Sequence, residues 1–247
     1  MKQIVFLLGL IWLPVGTQAQ TAVVKGGEFL PLYGSVDNAN IKVKSFRMEV
    51  TPVTNSAYLA FVKKNPQWQR SKVKRLFADH SYLKNWTADL AFPADLANAP
   101  VTNVSWFAAK AYCESKGLKL PSTAEWEYAA MAGYDKADAR KDSAYNARII
   151  SAYETPKTHL KKVGQGRANY WGIYDMNELV WEWTSDFNSV MLSGENRNND
   201  NTDLFCGGAA LGASDLMNYA AFMRYAFRSS IKANYTITNL GFRCIQP

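Results

Sequence analysis

Apolar and polar residues alternate along the chain in three ways, each predicting a different kind of element. At the start, an apolar run from Ile4 to Leu13 follows Lys2 and is closed by Pro14-Val15-Gly16 and then Thr17-Gln18-Ala19-Gln20. A charged flank, a short apolar core and a small-residue exit describe a signal peptide over residues 1–19, with cleavage after Ala19. The run is about half of the roughly 20 residues that a membrane span requires. Further on, Gly26-Gly27-Glu28-Phe29 reads as a turn into a strand, and Ile41 to Phe46 alternates apolar and polar positions as a half-buried strand does. Asn55 to Lys64 then places Ala57, Tyr58, Phe61 and Val62 at helical spacing behind a capping residue. Ser105 caps a second helix over 106–116, which Gly117 ends in the left-handed stop position. Ser122 and Glu125 have the spacing of a capping box, so a third helix runs to about Ala132 and stops at Gly133.

The rest of the pattern is less regular. From Asn65 to Pro100 aromatic, charged and proline residues follow no clear period, which predicts a long structured excursion with one short helix. Beyond Gly133 the chain is rich in Gly, Asn and aromatics and predicts short strands and few long periodic segments. That half needs other fixed points: tryptophans, a disulfide or a bound ion. No repeat and no Pro/Gly/Ser linker divides residues 22–247, so a single domain is the simpler organisation.

Composition adds location and charge. A chain of 247 residues carries 28 Lys plus Arg against 21 Asp plus Glu. Much of the excess lies in Lys63, Lys64, Arg70, Lys72, Lys74 and Arg75, a solvated surface segment or a dock for an acidic partner. No nucleic-acid motif accompanies it. The three cysteines, Cys113, Cys206 and Cys244, predict one disulfide and one leftover thiol after export, and three pairings are open. His80 and His159 are the only histidines, which leaves no three-histidine metal centre.

Four blocks carry a family resemblance. They are Ala111-Tyr112-Cys113 with Leu120-Pro-Ser-Thr-Ala-Glu-Trp-Glu-Tyr-Ala-Ala130, Trp171 to Trp183, Gly207-Gly208 with Arg224 and Arg228, and Asn239-Leu-Gly-Phe-Arg-Cys244. In order and combination they resemble the sulfatase-modifying-factor family, which includes formylglycine-generating enzymes. The resemblance implies an α+β, C-type-lectin-like fold with much irregular structure, and a Cys113–Cys244 disulfide that leaves Cys206 as the free thiol. It also implies a structural calcium ion at the turn Asp175 to Glu182. Asp175 and Glu182 would give side-chain oxygens and Glu178 and Val180 carbonyls, although Glu178 and Leu179 stand where Gly and Asn are usual.

The departures shape the functional reading. The family's enzymes bind copper(I) and the substrate cysteine through two cysteine thiolates after the "GGS" turn, because copper(I) favours soft sulfur ligands. Here Gly207 to Arg224 contains no cysteine and Ala209 replaces the serine, so copper at that site and formylglycine formation are not expected. Trp181 and Asn239 match the pattern, and Asp215, Tyr219, Arg224 and Arg228 join them as candidate pocket residues. Tyr219, Phe222, Arg224, Tyr225 and Arg228 serve either as a recognition surface or as the two faces of a scaffold strand. Three functions follow. The first is a periplasmic or secreted accessory, maturation or binding factor for a client protein or peptide, resembling members associated with copper nitrite reductase. The others are a modifying oxidoreductase with altered chemistry and a structural part of an envelope assembly.

Overall fold

A computed structural model describes residues 19–31, 39–188 and 216–247. Four short strands lead the chain: β1 (Thr21–Val24), β2 (Gly27–Phe29), β3 (Ile41–Val43) and β4 (Phe46–Glu49). β1 pairs antiparallel with β4, and β4 pairs with the C-terminal strand β7 (Ile245–Gln246), while β2 and β3 form their own antiparallel pair. The alternation over residues 41–46 is therefore split between two sheets. Gly26 sits at the split, where a Cβ would come within 2.5 Å of the Val43 carbonyl oxygen.

Helices α1 (Asn55–Lys64), α2 (Trp106–Glu114) and α3 (Thr123–Ala130) lie where the sequence predicts them. Thr54, Ser105 and Ser122 cap them, and Ser122 and Glu125 form the reciprocal capping box. Gly117 has φ +69°, the conformation expected beyond the end of α2. The excursion from 65 to 100 contains two 3-10 turns, Pro66–Trp68 and Ala94–Leu96, and no α-helix. It is tied down by side chains instead: Asn55 Nδ2 donates to the Leu96, Ala99 and Pro100 carbonyls, and Trp86 Nε1 donates to Asn55 Oδ1.

Beyond Gly133 the structure corrects the expectation of few long periodic segments. Helix α4 (Ser143–Glu154) and helix α5 (Leu216–Ser230) occupy this half. Asp142 caps α4, whose buried Tyr145, Asn146 and Ile149 follow helical spacing. The segment containing Tyr219 to Arg228, read as a possible scaffold strand, is helical. Ala220, Ala221, Arg224 and Arg228 are its buried positions among the described side chains, a spacing of one helical face. Its Ala, Met and Arg residues also favour helix over strand. Ala220 packs with Tyr145 and Ile149 of α4 in a small core, where an alanine leaves room for close approach.

The main core gathers Tyr58, Tyr112, Trp183 and Phe242. Inside it, a disulfide joins Cys113 of α2 to Cys244, spanning 131 residues, the pair implied by the resemblance. Two-residue strands β5 (Trp181–Glu182) and β6 (Leu240–Gly241) pair in parallel and set Trp181 opposite Leu240. No helix among the described residues is long and apolar enough to cross a membrane.

Candidate functional site

The site is assembled at the meeting of α3, α4, α5 and the β5–β6 pair. Arg224 and Arg228 are one helical turn apart on α5, so both guanidinium groups reach the same partner on α3, Glu127. In a strand, four residues would separate them by about 13 Å. Arg224 Nε donates to both carboxylate oxygens at 2.9 and 3.1 Å and its Nη2 donates to Oε2 at 2.8 Å. Arg228 Nη1 donates to Oε1 at 2.6 Å. The three side chains are 10%, 7% and 21% exposed for Arg224, Arg228 and Glu127, which leaves little water to weaken the cluster. Burial alone would raise the Glu127 pKa, but the two arginines outweigh it and hold the carboxyl at about 2.

Aromatic rings surround this charge cluster. Arg228 lies over the Trp126 ring, 4.8 Å from its centroid. Trp181 is stacked between Tyr153 of α4 at 4.8 Å and Phe227 of α5 at 4.7 Å. Arg224 Nη1 also donates to the Tyr153 hydroxyl at 3.2 Å. These contacts border a cavity of about 370 Å³, whose wall includes Trp126, Tyr153, Trp181, Arg224, Arg228 and Asn239. Four of the sequence-predicted pocket residues, Trp181, Arg224, Arg228 and Asn239, thus converge. Tyr219 lines no part of this cavity and is 40% exposed. Asp215 and Cys206 lie outside the described residues.

Residues 176–182 of the turn that begins at Asp175 form another wall, and each carboxylate of the turn has a partner. Arg243 and Glu182 side chains are both fully buried; Nε donates to Oε1 and Oε2 at 3.1 and 2.9 Å, and Nη2 to Oε1 at 2.8 Å. Trp126 Nε1 donates to Oε2 at 2.8 Å, so both oxygens of Glu182 are committed. Asp175 Oδ2 accepts from the Gly164 amide, and burial raises the Asp175 pKa. Asp175 itself has φ +62°. Glu178 Oε1 is 3.1 Å from Arg148 Nε, an ion pair without hydrogen-bond alignment. Among the described residues no three His, Cys, Asp or Glu side chains converge as a metal site. As arranged, Glu182 faces a guanidinium and Asp175 a backbone amide. Among the fully buried side-chain oxygens of this turn, Asn177 Oδ1 is the one without a hydrogen-bond partner.

Sequence reasoning missed Glu127, Tyr153 and Asn177. The signal for Glu127 was present: two arginines on one buried face require a counter-charge, and Trp126-Glu127 stands inside the quoted signature.

Residues 13–247 match the sulfatase-modifying factor enzyme 1-like domain family. The chain belongs to this family. It is 29% identical to a formylglycine-generating enzyme of Streptomyces coelicolor over 88% of this chain and 83% of that protein. Its 31% identity to the mouse formylglycine-generating enzyme covers 60% of this chain and 44% of that protein. It is also 24% identical to the mouse protein named inactive C-alpha-formylglycine-generating enzyme 2, over 98% of this chain and 91% of that one. Among solved structures, CarF covers 93% of this chain and 98% of its own with a TM-score of 0.52 at 18% identity, a likeness of fold. The α+β, formylglycine-generating-enzyme type of fold is thereby established, with its C-type-lectin-like irregular backbone.

Proposed function

We propose that this family member is an exported accessory protein that holds a segment of a client protein in the cavity instead of oxidising a cysteine. The observation that carries the reading is the cavity of about 370 Å³ whose arginine, aromatic and amide wall contains no cysteine among the described residues. Concave sites with an apolar body and a few placed polar groups are the usual form of a ligand site. The sequence supports the loss of oxidation, since Gly207 to Arg224 lacks the thiolate pair that copper(I) would need. A full-length relative named as inactive agrees with that direction. Glu127 is a poor general base because its arginines keep it ionised far below neutral pH. The signal peptide and the disulfide favour a periplasmic or secreted location, and copper nitrite reductase is the first candidate client on the sequence resemblance.

The structural calcium of the resembling family remains part of this proposal in a reduced form. Asp175 and the carbonyls of Glu178 and Val180 would hold it only if Glu182 were shared with, or released by, Arg243. The functional reading is tested by incubating the purified chain with a CxPxR-type peptide, copper(I) and oxygen, and separately titrating it with copper nitrite reductase in a calorimeter. It predicts no aldehyde and saturable client binding. Aldehyde formation above the buffer control would refute the loss of oxidation, and absent client binding would remove this client.

A further inference from the structure

The arginine pair is not symmetrical. Every nitrogen of Arg224 has a protein partner, with Nε and Nη2 on Glu127 and Nη1 on Tyr153. Arg228 engages Glu127 through Nη1 alone, and its Nε and Nη2 find no hydrogen-bond partner among the described residues. Yet Arg228 is 6% exposed, and it lines the cavity. These two nitrogens are not fully enclosed, so they stay open to an acceptor that enters the cavity.

Charge points the same way. Glu127 supplies one negative charge against the two positive charges of Arg224 and Arg228, so the cluster keeps an excess of one. Of the other acids on the cavity wall, Glu182 is paired with Arg243 and Glu178 with Arg148, while Glu154 has no ion pair among the described residues and offsets Lys157 in charge, so the excess of one remains. Asn239 and Thr238 stand on the same wall, and neither side chain has a hydrogen-bond partner among the described residues. Lys157 also lines the cavity and forms no ion pair among the described residues. One unmatched positive charge with a free guanidinium edge and adjacent amide and hydroxyl donors is complementary to one carboxylate, which takes such donors as a pair.

We propose that Arg228, helped by Asn239, is a carboxylate-binding subsite of the cavity, so that the segment it accepts is acidic. This rests on the reading of the cavity as a binding site and names the chemistry it selects. The shared chemistry is a carboxylate, carried either by an Asp or Glu side chain of a peptide or by a small free diacid.

The test is calorimetric titration of the purified chain with three probes: a capped glutamate-containing peptide, the same peptide with glutamine, and glutarate. The glutamate peptide should bind at least ten-fold more tightly than its glutamine twin, and added salt should weaken it. Glutarate competing at similar affinity would identify a small diacid as the source, and peptide binding without glutarate binding would identify a client side chain. Arg228→Gln should lower glutamate-peptide affinity about ten-fold, Arg228→Lys should restore only part because it lacks the planar fork, and the exposed Lys110→Gln should leave affinity unchanged. If Arg228→Gln does not fold, Asn239→Ala serves in its place with an expected several-fold loss. Equal binding of the glutamate and glutamine peptides would overturn the carboxylate subsite while leaving peptide capture standing. Failure of all three probes with the whole client still bound would overturn this inference and leave client binding itself standing.

Discussion

Replacing Glu182 by Gln would perturb one buried ion pair almost isosterically. The native carboxylate accepts three contacts from Arg243 and one from Trp126, and both charged side chains are fully buried. Gln keeps one acceptor oxygen but presents an NH2 group to donors, and it leaves the Arg243 charge without its counter-ion. Arg243 would retain the Glu49 and Tyr174 carbonyls and at most the single Gln oxygen. Breaking a buried pair from one side costs roughly 3–5 kcal/mol. For a chain of this size each kcal/mol moves Tm by about 2–4 °C, so the expected fall is roughly 6–20 °C. Urea and thermal unfolding followed by circular dichroism measure it. The double variant Glu182→Leu with Arg243→Met should recover much of the loss, because it removes both charges and keeps apolar volume. A loss under about 1 kcal/mol would refute the assignment of this pair as a buried keystone of the turn. Running the series with chelator and with calcium separates the two uses of Glu182. If the ion pair holds the turn, chelator leaves wild-type Tm unchanged and the variant's deficit persists in both conditions. A wild-type Tm that rises as calcium passes its dissociation constant, with the rise lost in the variant, would show that calcium holds the turn.

Cys113→Ser with Cys244→Ser opens a crosslink spanning 131 residues, and the chain-entropy relation puts the loss at about 5 kcal/mol. Denaturant midpoints should fall accordingly, and a midpoint unchanged from wild type would contradict a role for the bond in stability. For pH, Glu127 has a folded pKa of about 2 against an ordinary 4.5, so its contribution is complete above the ordinary value and disappears as pH falls toward 2. Glu127→Gln should therefore flatten the acid limb of the stability curve, and an acid limb parallel to wild type would be contrary evidence. Burial raises the Glu49 pKa despite the Cys244 amide, so stability is lost as pH rises from the ordinary carboxyl value through the raised one. Glu49→Gln should remove that decline, as urea midpoints between pH 4 and 8 would show.

The first three helices were legible because their signals are local: a cap, an apolar stripe, and a glycine at the stop of α2. The two later helices were not. Ala220, Ala221, Arg224 and Arg228 form a helical face whose inner half is charged, so an apolar-period reading missed it. Their burial becomes intelligible only when Glu127, about a hundred residues earlier, is seen to neutralise them. The candidate site was half legible for a similar reason. Trp181, Arg224, Arg228 and Asn239 were found through the family pattern, whereas Tyr153 enters through a stack that no spacing announces. Asp175 and Glu182 were expected as calcium ligands on the family pattern, but no spacing announces that Arg243, just beyond β6, reaches Glu182. Short strands such as β1 carry too few residues for a period to emerge.

The central claim, that the cavity receives a client segment, is met most directly by site-specific photo-crosslinking. A photoreactive residue is placed at Thr238 on the cavity wall, and in a parallel sample at Glu114, which is outside it. After irradiation with copper nitrite reductase, the adduct is mapped by mass spectrometry. The account predicts an adduct from position 238 only, on an acidic segment that carries no aldehyde and is displaced by excess glutamate peptide. Equal crosslinking from both positions, or an aldehyde on the captured segment, would contradict it.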